Sequence, residues 1–156
     1  MNERKSLRAE GKEESGWLNV IVASDKNYLA HLTTTITSAV VSSLDDLREI
    51  FVLSADIAEE DLSSLRKSLA RLGFSQIRLI QIRPERVTDF HISQHVSYAT
   101  YLRFYASEVL PDDVDHALYL DCDTLVVAKL TGLKKPLHSM RQSNRTDQPL
   151  LAAAWR

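Results

Sequence analysis

The sequence predicts an α/β domain built on a mainly parallel sheet flanked by helices, and three observations carry that expectation. Short apolar runs rich in β-branched residues alternate with amphipathic stretches. The first run, LNVIVA, is apolar on both faces, as a strand covered by helices on both sides must be. The runs are separated by stretches long enough for helical crossovers, which return the chain to the same edge of a sheet in a right-handed sense.

Residues 1–15 carry mixed charges and almost no large apolar side chains, so they read as a disordered leader, with the domain itself occupying residues 16–156. Leu18 to Ala23 is the first strand. Ser24, Asp25, Lys26 and Asn27 make a polar turn, after which Leu29, Leu32, Ile36 and Val40 recur at helical spacing through Ser42, despite several threonines of indifferent helix propensity. Glu49 to Ser54 is a second buried-type strand. Ala58 to Leu72 is the clearest helix, with Leu62, Leu65, Leu69 and Leu72 on one face, and Gly73 is placed to end it in a left-handed cap. Gln76 to Ile82 is a third strand, stopped by Pro84, and an irregular loop follows to His95. A helix is expected from Ser97 to Leu110, where Pro111 and the following aspartates break it. His116 to Leu120 is a fourth strand that runs directly into Asp121, Cys122 and Asp123, and Leu150 to Trp155 is a last strand.

Composition excludes several function classes. The 156 residues, 44% hydrophobic, fit one globular domain. A formal net charge of -2 leaves no basic excess for tracking a nucleic-acid backbone. Cys122 is the single cysteine, so there is no disulfide framework and no multi-cysteine zinc site, and a cytoplasmic location is the default. No run approaches the roughly 20 apolar residues of a membrane span. Peripheral association with the inner face of a membrane stays open. The five histidines show no metal-ligand spacing.

Ligands of parallel sheets sit at the carboxyl ends of the strands, where the turns at Asp25 and Asp121 both fall. Asp121 and Asp123 stand one residue apart at the end of a buried strand, where like charges in a water-poor crevice raise each other's pKa. A cation or a shared proton resolves that conflict. Magnesium and manganese prefer carboxylate oxygens and complete their shells with phosphate oxygens, so the pair suits a metal diphosphate. Simpler readings exist. Asp25 and Asn27 could cap the following helix, Tyr28 could be core at the helix start, Arg103 could pair with Glu108 or Asp89, and Tyr98, Tyr101 and Tyr105 read as packing. Asp112, Asp113 and Asp115 read as a solvated turn. Cys122 reads as a small packing residue, since no activating base can be named for it.

Three segments in series, VIVASDKNYLAHL, HVSYATYLRFYASEVLP and LYLDCDTLVV, make the chain resemble the family 8 glycosyltransferases, which include bacterial lipopolysaccharide galactosyl- and glucosyltransferases and glycogenin. The resemblance runs from Asn19 to Trp155. It implies a GT-A, Rossmann-like fold, a UDP-sugar donor, Mn2+ or Mg2+, a glycan or lipopolysaccharide acceptor, and retention of anomeric configuration. Residue by residue it implies that Ala23, Asp25, Asn27 and Tyr28 surround uracil and ribose. Arg103 takes a catalytic part, holding the donor sugar or its neighbouring acid. Asp121 contacts metal and ribose, Cys122 lies among the donor contacts, and Asp123 binds the metal. Family members are much longer, and their second half supplies a histidine metal ligand and most of the acceptor site. The expectation is therefore of a truncated chain, for which a catalytically inactive nucleotide-sugar-binding remnant is the alternative and self-association through the truncated edge a corollary. From another class, a haloacid-dehalogenase-type phosphatase also uses Asp-x-Asp after a strand, with Asp121 as nucleophile and Asp123 as acid.

Overall fold

A computed structural model describes residues 16–83, 101–114, 116–134 and 150–152. Five strands, β1 (Leu18–Ala23), β2 (Leu47–Ser54), β3 (Ile77–Gln81), β4 (His116–Asp121) and β5 (Leu150–Ala152), form one sheet in the order β3-β2-β1-β4-β5. Every pairing is parallel. The alternation read from the sequence thus produces the expected architecture, with β1 at the centre and all six of its residues buried.

Helices cover both faces. Helix α1 (Leu29–Ser43) and helix α2 (Ser63–Arg71) pack on the face formed by Leu18, Val20, Val22, Ile50 and Val52. The opposite face, with Ile21, Ala23, Phe51 and Leu53, is covered by Leu102 and Ala106 of the helical segment before β4. Each large side chain fully buried there, such as Phe51 or Ile21, stabilises the fold by about 1.5–3 kcal/mol relative to exposure. Asn19 is the polar exception within β1, and its side-chain amide donates to the His116 carbonyl (3.3 Å), tying β1 to β4.

Several boundaries differ from expectation. β2 begins at Leu47, before Glu49, because Leu47 pairs with Leu18 and is buried. α2 is shorter than the leucine spacing suggests. Residues Ala58 to Ser63 turn through i→i+3 bonds, and the Asp61 carboxylate accepts from the Ala58 N–H (2.9 Å), so the regular helix starts only at Ser63. Leu72, expected on the apolar face, is 40% exposed at the helix end. Gly73 has the left-handed conformation (φ 87°) that the cap requires. The helix expected to reach Leu110 without interruption tightens into a 3-10 turn at Arg103–Tyr105 before one α-helical stretch, Ala106–Val109. β4 extends one residue further than expected, through Asp121. The leader, the loop to His95, Tyr98, Asp89, Asp115 and the end of the last predicted strand lie outside the described residues.

Candidate functional site at the carboxyl edge of the sheet

Parallel register decides where the two polar turns meet. Ala23 is level with Asp121 on one side and with Leu53 on the other. The residues following β1, β2 and β4 therefore leave the sheet side by side, at the edge where parallel sheets place their ligands.

The turn after β1 is shaped by Asp25. Its carboxylate accepts from the backbone N–H groups of Asn27 (2.9 Å) and Tyr28 (3.2 Å), capping the 3-10 turn Lys26–Tyr28 that leads into α1. The capping reading holds for Asp25, which remains partly exposed, but its cap serves the 3-10 turn, and α1 itself starts without a side-chain cap. Tyr28 is not core. It is 44% exposed, with its ring 5.2 Å from that of His31. A second carboxylate that the sequence did not single out holds this turn from β2: Asp56 accepts from the Lys26 N–H (3.0 Å) and from the Ser54 hydroxyl (3.1 Å). The Lys26 ammonium in turn pairs with Asp61 (2.9 Å).

The turn after β4 is closed by the Thr124 N–H donating to the Asp121 carbonyl (3.1 Å). Asp121 and Asp123 are both exposed, so the water-poor crevice expected around them is not what the described residues form. Water screens the repulsion instead. Cys122 is half-buried and packs against the α1 face of the core, as expected of a small packing residue. Burial pushes its thiol pKa up; the adjacent Ser24 hydroxyl pulls it down, and the charges of Asp123 and Asp25 raise it again. The β1–β4 register puts Ser24 and Asp25 close enough to Cys122 for these influences to reach it. Tyr119 lies on the same strand face as Asp121. Burial first, and then the Asp121 carboxylate, push the Tyr119 phenol well above its ordinary range, while the Arg103 charge lowers it. Arg103 thus stands on the Asp121 side of the sheet, half-buried, its guanidinium 5.3 Å from the Phe104 ring. Tyr101 and Tyr105 pack against the adjoining core, as expected. Asp112 and Asp113 are exposed in a turn, as expected, with Asp113 3.5 Å from Arg48.

Among the described residues, no three His, Cys, Asp or Glu side chains are grouped to hold a metal. The donor set still fits magnesium or manganese. These ions keep several waters and take one or two carboxylates plus phosphate oxygens, and two exposed carboxylates on one closed turn leave room for both.

The profile described as glycosyl transferase family 8 matches residues 19–135, three quarters of the chain. The chain belongs to glycosyltransferase family 8. Among its relatives is the glycosyltransferase GlyF of Streptococcus pneumoniae, 34% identical over 115 residues, which cover 74% of this chain and 28% of GlyF. The lipopolysaccharide 1,2-glucosyltransferase of Escherichia coli is 28% identical over 116 residues, covering 74% of this chain and 34% of that protein. The galactosyltransferase LgtC, solved with donor and acceptor sugar analogues, superposes with a TM-score of 0.66 at 33% identity, covering 74% of this chain and 41% of LgtC. The family 8 chain therefore has the GT-A, Rossmann-like fold expected of it and spans less than half the length of these relatives. Membership removes the phosphatase alternative. Among the described residues, no helix is long and apolar enough to cross a membrane.

Proposed function

We propose that residues 16–156 form the nucleotide-sugar-binding part of a retaining glycosyltransferase that carries a sugar from a UDP-sugar to a glycan or lipopolysaccharide acceptor. The cytoplasm is its proposed compartment. The observation that carries the reading is the register of β1 and β4, which sets the Asp25–Tyr28 turn beside the Asp121–Asp123 turn.

In this reading Ala23, Asp25 and Asn27 surround the uridine, and the exposed Tyr28 ring offers a face to the base. Asp121 and Asp123 hold Mn2+ or Mg2+, with Asp121 also reaching the ribose and Cys122 among the donor contacts. When bound, the cation supplies positive charge against the departing diphosphate. The Asp121 carboxylate, placed at the strand end with Tyr119 beside it, orients the donor rather than attacking it. Arg103 keeps a permanent cation on the same side, suited to the donor sugar or a neighbouring acid.

Isothermal titration of the chain with UDP, with and without Mn2+, tests this. The wild type should bind only with metal present, and Asp123→Ala should weaken that binding at least ~10-fold by removing one of the two ligands. Binding of UDP that ignores both Mn2+ and Asp123 would sink the proposal.

A further inference from the structure

Helix α1 carries three successive threonines, Thr33 to Thr35, whose hydroxyls do different things. Thr33 donates back to the Leu29 carbonyl (2.8 Å) and Thr34 to the Ala30 carbonyl (3.0 Å), ordinary bonds within a helix. Thr35 does not. Its side chain is fully buried, and its hydroxyl reaches across to the carbonyls of Cys122 (2.7 Å) and Thr124 (2.8 Å). The same face of α1 continues the pattern. Ser38 accepts from the Val126 N–H (3.0 Å) and Ser42 donates to the Val126 carbonyl (2.8 Å), while Ser43 accepts from the Leu130 N–H (2.9 Å). Positions 35, 38 and 42 follow helical spacing, so one row of hydroxyls holds the segment that begins at the Asp121–Asp123 turn.

We infer that Thr35 is a positioning residue for Asp123. The Cys122 and Thr124 carbonyls belong to the peptides on either side of the Asp123–Thr124 pair, and fixing both planes fixes the direction in which the Asp123 carboxylate leaves the backbone. Among the described residues, no hydrogen bond or ion pair holds that carboxylate itself. Its aim is set from behind, through the main chain. One hydroxyl has one proton for two acceptors, so it serves both carbonyls by sharing or alternation. A valine in its place has nearly the same shape and no proton to give, and both carbonyls then lose their buried partner.

The inference rests on the donor-site reading, and its test separates the two. Mn2+ affinity in the presence of UDP is measured by calorimetry on the whole chain, alongside melting temperature. Thr35→Val should weaken Mn2+ binding ~10-fold, the size of effect seen when groups supporting metal ligands are removed, whereas Thr35→Ser should restore it to within ~3-fold. Thr34→Val, and the core variant Ile36→Val as a stability control, should bind as the wild type does. A Thr35→Val protein that binds Mn2+ like the wild type, or no more weakly than Ile36→Val, overturns the positioning role and leaves the donor site standing. If Thr35→Val does not fold, Thr35→Ala decides, and wild-type affinity there overturns the inference. A wild-type chain without Mn2+-dependent binding overturns both.

Discussion

The two turns that meet at the sheet edge are held by opposite chemistry. The Asp25 turn is fastened largely by ions in contact with solvent: Asp56 on the Lys26 N–H and Asp61 on the Lys26 ammonium, whose side chain is 58% exposed. The Asp121 turn and the segment after it are fastened by neutral hydroxyls of α1, with Thr35 and Ser43 buried and Ser38 partly buried. Exposed ion pairs contribute little and yield to salt, whereas buried hydroxyls leave costly unpaired groups when removed. On the proposed reading, the turn that receives a base is held by groups that can adapt, and the turn that presents carboxylates is held mainly by uncharged groups.

Breaking the buried side should cost most. The segment held by the α1 hydroxyls is anchored at its far end by Asp46, 7% exposed, whose carboxylate accepts from the Trp17 indole (3.0 Å) and the Thr131 hydroxyl (2.8 Å). Asp46→Ala removes both bonds at once and should lower stability by about 2–3 kcal/mol, read from urea unfolding monitored by Trp fluorescence. On the exposed side, Lys26→Met should cost no more than ~1 kcal/mol, and less still in high salt. A larger or salt-independent loss would erase the contrast between the turns.

Acid should act on the exposed side as well. The Ala58 N–H, and then the Lys26 ammonium, hold Asp61 below its ordinary value of 3.8. A carboxylate whose folded pKa is depressed contributes stability that is fully present above the unfolded value and lost as pH falls through the folded one. The melting-temperature gap between wild type and Asp61→Asn should therefore stay constant above about pH 5 and close below about pH 4. A gap that persists at pH 2 would show that Asp61 acts through its shape rather than its charge.

How much of this was legible in sequence depends on how local its cause was. β1 was readable to the residue, because six buried positions in a row leave little choice, and β4 to within one. The edge where the two turns meet was readable too, since a parallel sheet brings the carboxyl ends of its strands to one side. α2 was overextended because its leucine spacing is real but residues Ala58 to Ser63 turn through i→i+3 rather than helical i→i+4 bonds. Tyr28 was left between core and ligand contact, and only its exposure favours the second. The hydroxyl row was invisible. A threonine in a helix registers as weak propensity, and the carbonyls that give Thr35 its purpose lie 87 and 89 residues away. Asp56 was missed for a similar reason, since its partner belongs to another strand's turn.

The sheet order β3-β2-β1-β4-β5 also has a meaning in time. β1, β2 and β3 are joined by successive short crossovers, while β4 must find the other edge of β1 across a separation of 97 residues between Asn19 and His116. Contacts that close long loops form slowly, and those within short ones form first. The Asp25 turn is thus expected to belong to an early folding unit and the Asp121 turn to arrive with the last major docking step. Ligand binding would then report completion of the fold, because a half-folded chain has only one side of the site.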